Sequence, residues 1–311
     1  MRTGVLLMTY GSPRDLDDVG AYMTRVRGGR EPEPELLAEF RRRYEVIGLS
    51  PLVGITLAQA SALETVLAGD FRVAVGMRFS EPTIDAGVAS LVGRGAERLL
   101  GLILSPQYSS TIMGGYDAAL QAAARDVPAR TIGAWHLNPT FIAVLASRIR
   151  QALARYAEGQ RDSVPVLLTA HSLPRRVVDR EPHYVEQLHE TADAVATAAG
   201  LSAEQWSFAY QSAGHTPEEW LKPDMLDVLP QFARAGHREV LVAPVQFLAD
   251  HLETLYDIDV AGREQATSAG IKAFARVEAP NAAPDFIAAL AGIVRAELVA
   301  WDVGAGTGAR A

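Results

Sequence analysis

Along the whole chain, short β-branched runs alternate with longer Ala-, Leu- and Glu-rich stretches of helical period. That alternation leaves few architectures open, because parallel strands need a crossover of about a dozen residues or more, usually a helix. The predicted strands of the first half are GVLLMTY (4–10), FRVAVGM (71–77), LLGLILS (99–105) and ARTIGAW (129–135). Those of the second half are VPVLLTA (164–170), WSFAYQS (206–212), EVLVAPV (239–245) and IKAFARV (271–277). An α/β chain of two similar domains follows, each a doubly wound four-stranded parallel sheet. The 311 residues are enough for two cores, since a single core stops growing near roughly 250–300. The expected domains are 1–145 and 146–302, with the last helix able to pack back on the first, and 303–311 (VGAGTGARA) as a disordered tail.

The halves also match in detail. LLMTYGSP opens the first as LLTAHSLP opens the second, which sets Tyr10 opposite His171. At the third strands SPQY (105–108) stands against APVQF (243–247). The repeat predicts a pseudo-twofold pair of sheets facing each other across a cleft. Ligands of such sheets bind beyond the carboxyl ends of the strands, where Tyr10, Gln107, His171 and Gln246 would lie.

Composition removes several classes of function. With no cysteine, disulfides, thiolate metal sites, iron–sulfur clusters and cysteine nucleophiles are excluded. A formal net charge of −8 argues against a nucleic-acid partner. The apolar run at the N-terminus ends at Gly11 and Pro13, too short for a signal segment or a membrane span, so the expectation is a soluble, cytoplasmic protein. The G-x-x-x-x-G-K-[ST] phosphate loop, a G-x-G-x-x-G fingerprint after the first strand and the G-x-S-x-G elbow are all missing.

The residues with chemical potential are few. His171 ends a buried-looking strand just before Ser172, Leu173 and Pro174, where it can bind a cation or accept a proton, or simply cap the next helix. Glu253 and Asp257 stand four apart in FLADHLETLYDID (247–259), so on a helix they share a face and repel unless a cation sits between them. The structural alternative is a capping box made by Asp250 and Glu253. Arginines gather at Arg25, Arg27, Arg30 and Arg41–Arg43, and their guanidinium forks suit the carboxylates of an anionic ligand. Arg27 and Arg30, in a loop with Gly28 and Gly29, are the stronger candidates, whereas Arg41 and Arg42 read as a solvated helix face.

LLMTYGSP, RYEVIGLSPL, TAHSLP, YQSAGHTPEEWLKPD, APVQFLADHLETLYDID and APNAAPDFI, in this order, resemble the ferrochelatase family over nearly the whole chain. The resemblance implies two Rossmann-like domains with a porphyrin between them, and His171 and Glu253 as the pair that handles the metal or the pyrrole protons. The chemistry asks for such a pair, because insertion releases two N–H protons while a dication loses its water shell. Tyr10 resembles the iron-coordinating tyrosine of the coproporphyrin-using branch. That implies coproporphyrin III and Fe²⁺ as substrates, Tyr10 axial to the product iron, and Arg27, Arg43, Tyr44 and Ser50 as porphyrin contacts. No tightly bound cofactor is implied, and iron is a substrate. The expected partners are those two substrates and, transiently, the next haem-pathway enzyme, with a monomer as the default.

Several positions depart from the family pattern. Gln107 replaces a histidine found in some relatives, His136 replaces an aromatic residue after Trp135, RYEVIGLSPL is one glycine short, and Ala261 interrupts an acidic row. The rival readings are a protoporphyrin IX ferrochelatase, a cobalt or nickel chelatase acting on sirohydrochlorin, and a noncatalytic tetrapyrrole carrier.

Overall fold

A computed structural model describes residues 1–214 and 217–308. Its strands are β1 (Thr3–Thr9), β2 (Phe71–Met77), β3 (Arg98–Ile103), β4 (Ala129–Thr131), β5 (Val166–His171), β6 (Trp206–Gln211), β7 (Glu239–Pro244) and β8 (Ala273–Arg276). All eight fall where the sequence places them. The fourth is cut short because the chain beyond Thr131 leaves the ladder and buries Trp135 against Phe141. The helices are α1 (Val19–Val26), α2 (Pro34–Val46), α3 (Leu52–Leu67), α4 (Ile84–Gly93), α5 (Ser110–Ala124), α6 (Pro139–Leu153), α7 (Arg175–Val178), α8 (Pro182–Ala199), α9 (Met225–Arg234), α10 (Arg263–Ala269) and α11 (Pro284–Gly308). A π-helix spans Glu253–Gly262.

Both sheets are four-stranded and parallel, ordered β2-β1-β3-β4 and β6-β5-β7-β8. The central strands explain themselves: Val5, Leu6, Leu7 and Met8 of β1 and Val166, Leu167 and Leu168 of β5 are all 0% exposed. A strand apolar on both faces must be covered on both, and helices packed on the two faces cover it. In each sheet the winding direction reverses beside the first strand, so each has its switch point at the carboxyl end of β1 or β5. Tyr10 follows β1 and His171 closes β5, so within each sheet both residues stand where the repeat predicted.

The division of the chain is less simple than two consecutive halves. One compact unit comprises Met1–Ser12, Leu52–Phe141 and Asn281–Ala311, the other Pro13–Pro51 and Ile142–Pro280. The expected division at 145 therefore needs correction, because residues 13–51 group with the second unit; the last helix groups with the first, the arrangement the sequence left open. The reason lies in side chains. Val19 and Met23 of α1 and Tyr44 of α2 bury their apolar faces against Leu252 and Tyr256 of the second unit, with Phe40 and Ala261 packed around them. In the first unit Phe286, Leu290 and Val294 of α11 are 0% exposed. That helix runs to Gly308, through most of the stretch expected as a disordered tail, while 309–311 lie outside the described residues.

Candidate active site

In the first unit the turn after β1 depends on Gly11, whose φ of +92° is costly for any side chain. A Cβ there would also stand 2.2 Å from Ser80 Oγ, which accepts the Ser12 N–H at 3.2 Å. This tight return leaves Tyr10 46% exposed, its ring edge-on to Phe79 at 4.6 Å. Arg78 stacks over Phe79 and Tyr116, and burial pushes the Tyr116 phenol above its ordinary range. Gln107, after β3, is fully buried.

The second unit gathers most of the predicted residues. His171 is held through its backbone N–H and through its ring. Its N–H donates to Gln246 Oε1 at 2.7 Å, and Gln246 Nε2 donates to the Tyr184 hydroxyl at 2.7 Å. Its ring nitrogen Nδ1 contacts the Ser172 carbonyl. A carbonyl only accepts, so Nδ1 must be the protonated nitrogen and the Nε2 lone pair is left to take a proton or a metal.

Glu253 opens the π-helix, and the capping box with Asp250 does not form. The helix start has no side-chain cap of that kind. Thr254 Oγ1 accepts the His251 N–H at 2.9 Å and donates to the His251 carbonyl at 3.0 Å. Asp250 turns instead to Arg276. Glu253 is thereby free of a structural duty, and its Oε2 lies 3.1 Å from His251 Nε2. His251 also places Nδ1 2.9 Å from the Ala249 carbonyl, which again demands a proton on Nδ1. The His251–Glu253 contact thus sets an imidazole nitrogen and a carboxylate oxygen side by side.

Asp257 completes the cluster. It is 18% exposed, and burial raises its pKa above the ordinary 3.8. A hydrogen bond from the Ser212 side chain pulls it back down, the Glu253 charge pushes it up, and Arg43 and His171 pull it down. The expected repulsion between Glu253 and Asp257 is therefore present. Ser212 holds a φ of +58°, uncommon for a residue with a side chain. Among the described residues no group of three or more His, Asp or Glu side chains forms a ready metal cage.

The arginines divide. Arg43, on α2, lies 3.3 Å from Asp257 Oδ1, donates to Glu39 at 2.8 Å, and stacks over Phe40 and Tyr256. The guanidiniums of Arg42 and Arg43 hold the Glu39 carboxyl down to about 2. Tyr44 is 4% exposed in the apolar cluster beneath them, and Ser50 is half-buried. Arg27 forms no ion pair among the described residues, and its Nε is buried without a hydrogen-bond partner. Arg30 is exposed. Sequence reasoning missed His251, Ser212, Gln246's grip on His171 and Arg276. A signal existed only for His251, two residues before Glu253 in the same motif.

Comparison with known proteins follows the same lines. Two chelatase structures share the fold: SirB from Bacillus subtilis with Fe³⁺ (TM-score 0.60, 10% identity, 95% of each chain covered) and CbiX, the terminal enzyme of sirohaem biosynthesis in denitrifying bacteria (TM-score 0.54, 15% identity, 95% of this chain and 99% of that one). Fold and relatives together define an enzyme of the metal chelatase class. The chain belongs to the ferrochelatase family, whose model matches residues 2–298. It is 38% identical over 299 residues to a ferrochelatase of Deinococcus radiodurans, covering 94% of each chain. It is also 36% identical over 301 residues to a coproporphyrin III ferrochelatase of Anoxybacillus flavithermus (94% and 95% covered), and 35% over 307 to that of Bacillus subtilis (96% and 98%). No described helix is long and apolar enough to cross a membrane.

Proposed function

We propose that this ferrochelatase inserts Fe²⁺ into coproporphyrin III, giving iron coproporphyrin and two protons, at a step of haem biosynthesis before the propionates are removed. The observation that carries the reading is the grouping of His171, with its Nε2 lone pair available, with the His251–Glu253 pair and Asp257. Metallation needs both a transient ligand for a dication shedding water and an acceptor for pyrrole protons. An imidazole nitrogen suits borderline iron, and a carboxylate beside an imidazole suits the second task. His171 and Glu253 are the catalytic residues in this reading. Tyr10 is the axial ligand of the product iron, Arg27, Arg43 and Ser50 meet propionates, and Tyr44 supports them from the apolar cluster. No tightly bound cofactor takes part.

Substrate choice rests on Tyr10 and on the relatives that carry the coproporphyrin III name. The test is steady-state Fe²⁺ insertion into coproporphyrin III, protoporphyrin IX and sirohydrochlorin, with Co²⁺ in parallel. Coproporphyrin III is expected to be favoured, with His171→Ala and Glu253→Gln each lowering kcat by about 10²–10⁴. Tyr10→Phe should narrow the preference over protoporphyrin IX. Equal use of the two porphyrins, unchanged by Tyr10→Phe, would falsify the substrate assignment. Full activity of both His171→Ala and Glu253→Gln would remove the enzyme site proposed.

A further inference from the structure

Arg276, at the carboxyl end of β8, is a buried cation that the reaction does not use directly: its side chain is 11% exposed. It grips Asp259 with both arms of the fork, Nε to Oδ1 at 2.9 Å and Nη2 to Oδ2 at 2.8 Å, and its Nη1 stands 3.0 Å from Asp250 Oδ1. Asp250 precedes the π-helix and Asp259 lies inside it, so one guanidinium ties the segment down on both sides of Glu253. Arg263 adds a second tie, donating from Nη1 to the Phe274 carbonyl of β8 at 2.7 Å and from Nε to the Asp259 carbonyl at 3.2 Å.

A π-helix is rare, and where it occurs something outside the segment must favour it over the α form. Here the start has no side-chain cap from Asp250, which is drawn to Arg276. A bidentate pair restricts orientation as well as distance, which a single ammonium cannot do. We propose that Arg276 is the positioning residue of the site: by clamping Asp250 and Asp259 it holds the π-helix in the register that brings the Glu253 carboxylate to His251 Nε2 and sets Asp257 beside it. Arg276 touches neither substrate nor reacting atoms and acts only through this segment. The inference rests on the role proposed for Glu253.

The test is a double-mutant cycle joined to hydrogen exchange on the full chain. Arg276→Met keeps the apolar stem and removes the fork, Arg276→Lys keeps the charge, and Asp259→Asn weakens one side of the clamp if Arg276→Met does not fold. Arg276→Met should lower kcat for Fe²⁺ insertion about 10–100-fold, the range seen when groups behind a metal ligand are lost, with the porphyrin KM changed less than about twofold. Lysine should restore part of the loss. In a Glu253→Gln background the same substitution should change kcat by less than about twofold, because the group it positions is already gone. Amides of 253–262 should exchange at least about tenfold faster in Arg276→Met or Asp259→Asn while protection of β5 stays as it was. Losses that multiply in the double mutant, or unchanged exchange across 253–262, overturn the proposal. If the wild type metallates no porphyrin, the activity proposed above fails, and the exchange result alone still decides whether Arg276 holds the segment.

Discussion

Asp257 concentrates the electrostatics of the site in one side chain. Burial raises its pKa, so the folded chain keeps its proton to higher pH than the unfolded chain does. The native state then binds more protons than the unfolded one between the ordinary value of 3.8 and the raised value, and through that window stability falls as pH rises. Asparagine copies the neutral form. Asp257→Asn is therefore expected to match the wild type near pH 4 and to gain on it as pH climbs, by about 1.4 kcal/mol for each unit by which the carboxyl is raised. Denaturant unfolding of both proteins from pH 4 to 8 measures this difference, and a deficit that grows with pH would contradict it. Glu39 behaves oppositely: its carboxyl, held near 2 by Arg42 and then Arg43, adds stability that is present above pH 4.5 and lost as pH falls through about 2.

Among elements, β2 shows how an edge is managed. It ends its sheet, leaving one row of backbone groups unpaired. At the middle of that edge Glu64 of α3 accepts the Val73 N–H at 2.7 Å, while Arg94 donates to the Val73 carbonyl at 3.0 Å and pairs with Glu64. Two side chains thus occupy the positions a further strand would need. Replacing both Glu64 and Arg94 by alanine should expose the edge and produce concentration-dependent association, visible in light scattering at micromolar protein. A variant that stays as disperse as the wild type across that range would show that the clamp does not guard the edge. The π-helix makes the complementary point. Its sequence reads as an ordinary amphipathic helix, yet Arg276 and Arg263 fix it in a wider winding from outside.

For the molecule as a whole, the path of the chain matters more than its length. One unit is assembled from three separate segments, and its last piece, α11, arrives from the far end of the sequence. Leu290 of α11 is 0% exposed, so Leu290→Ala is expected to cost about 2–5 kcal/mol. The loss should appear as faster hydrogen exchange in residues 1–12 and 52–141, well separated in sequence, more than in 142–280. Exchange accelerated mainly within 142–280 would mean that α11 does not stabilise the unit to which its contacts assign it.

Much of this protein is legible in its sequence. Eight strands, two doubly wound sheets, and the placing of Tyr10 and His171 at strand ends all follow from local pattern, because a strand apolar on both faces has to be covered by helices and its switch point is then fixed by the winding. The family, too, could be read from TAHSLP and DHLETLYD. What the sequence could not say is where an apolar face goes once it is made. α1 and α2 carry such faces, but a stripe of Val19, Met23 and Tyr44 specifies burial and no address, so only the folded chain assigns residues 13–51 to the unit that holds His171 and Glu253. Likewise Asp250 had two partners open to it, Glu253's helix start and a distant arginine. Burial of Arg276 beside it decided the matter, because a desolvated guanidinium requires carboxylates more than a helix start requires a cap.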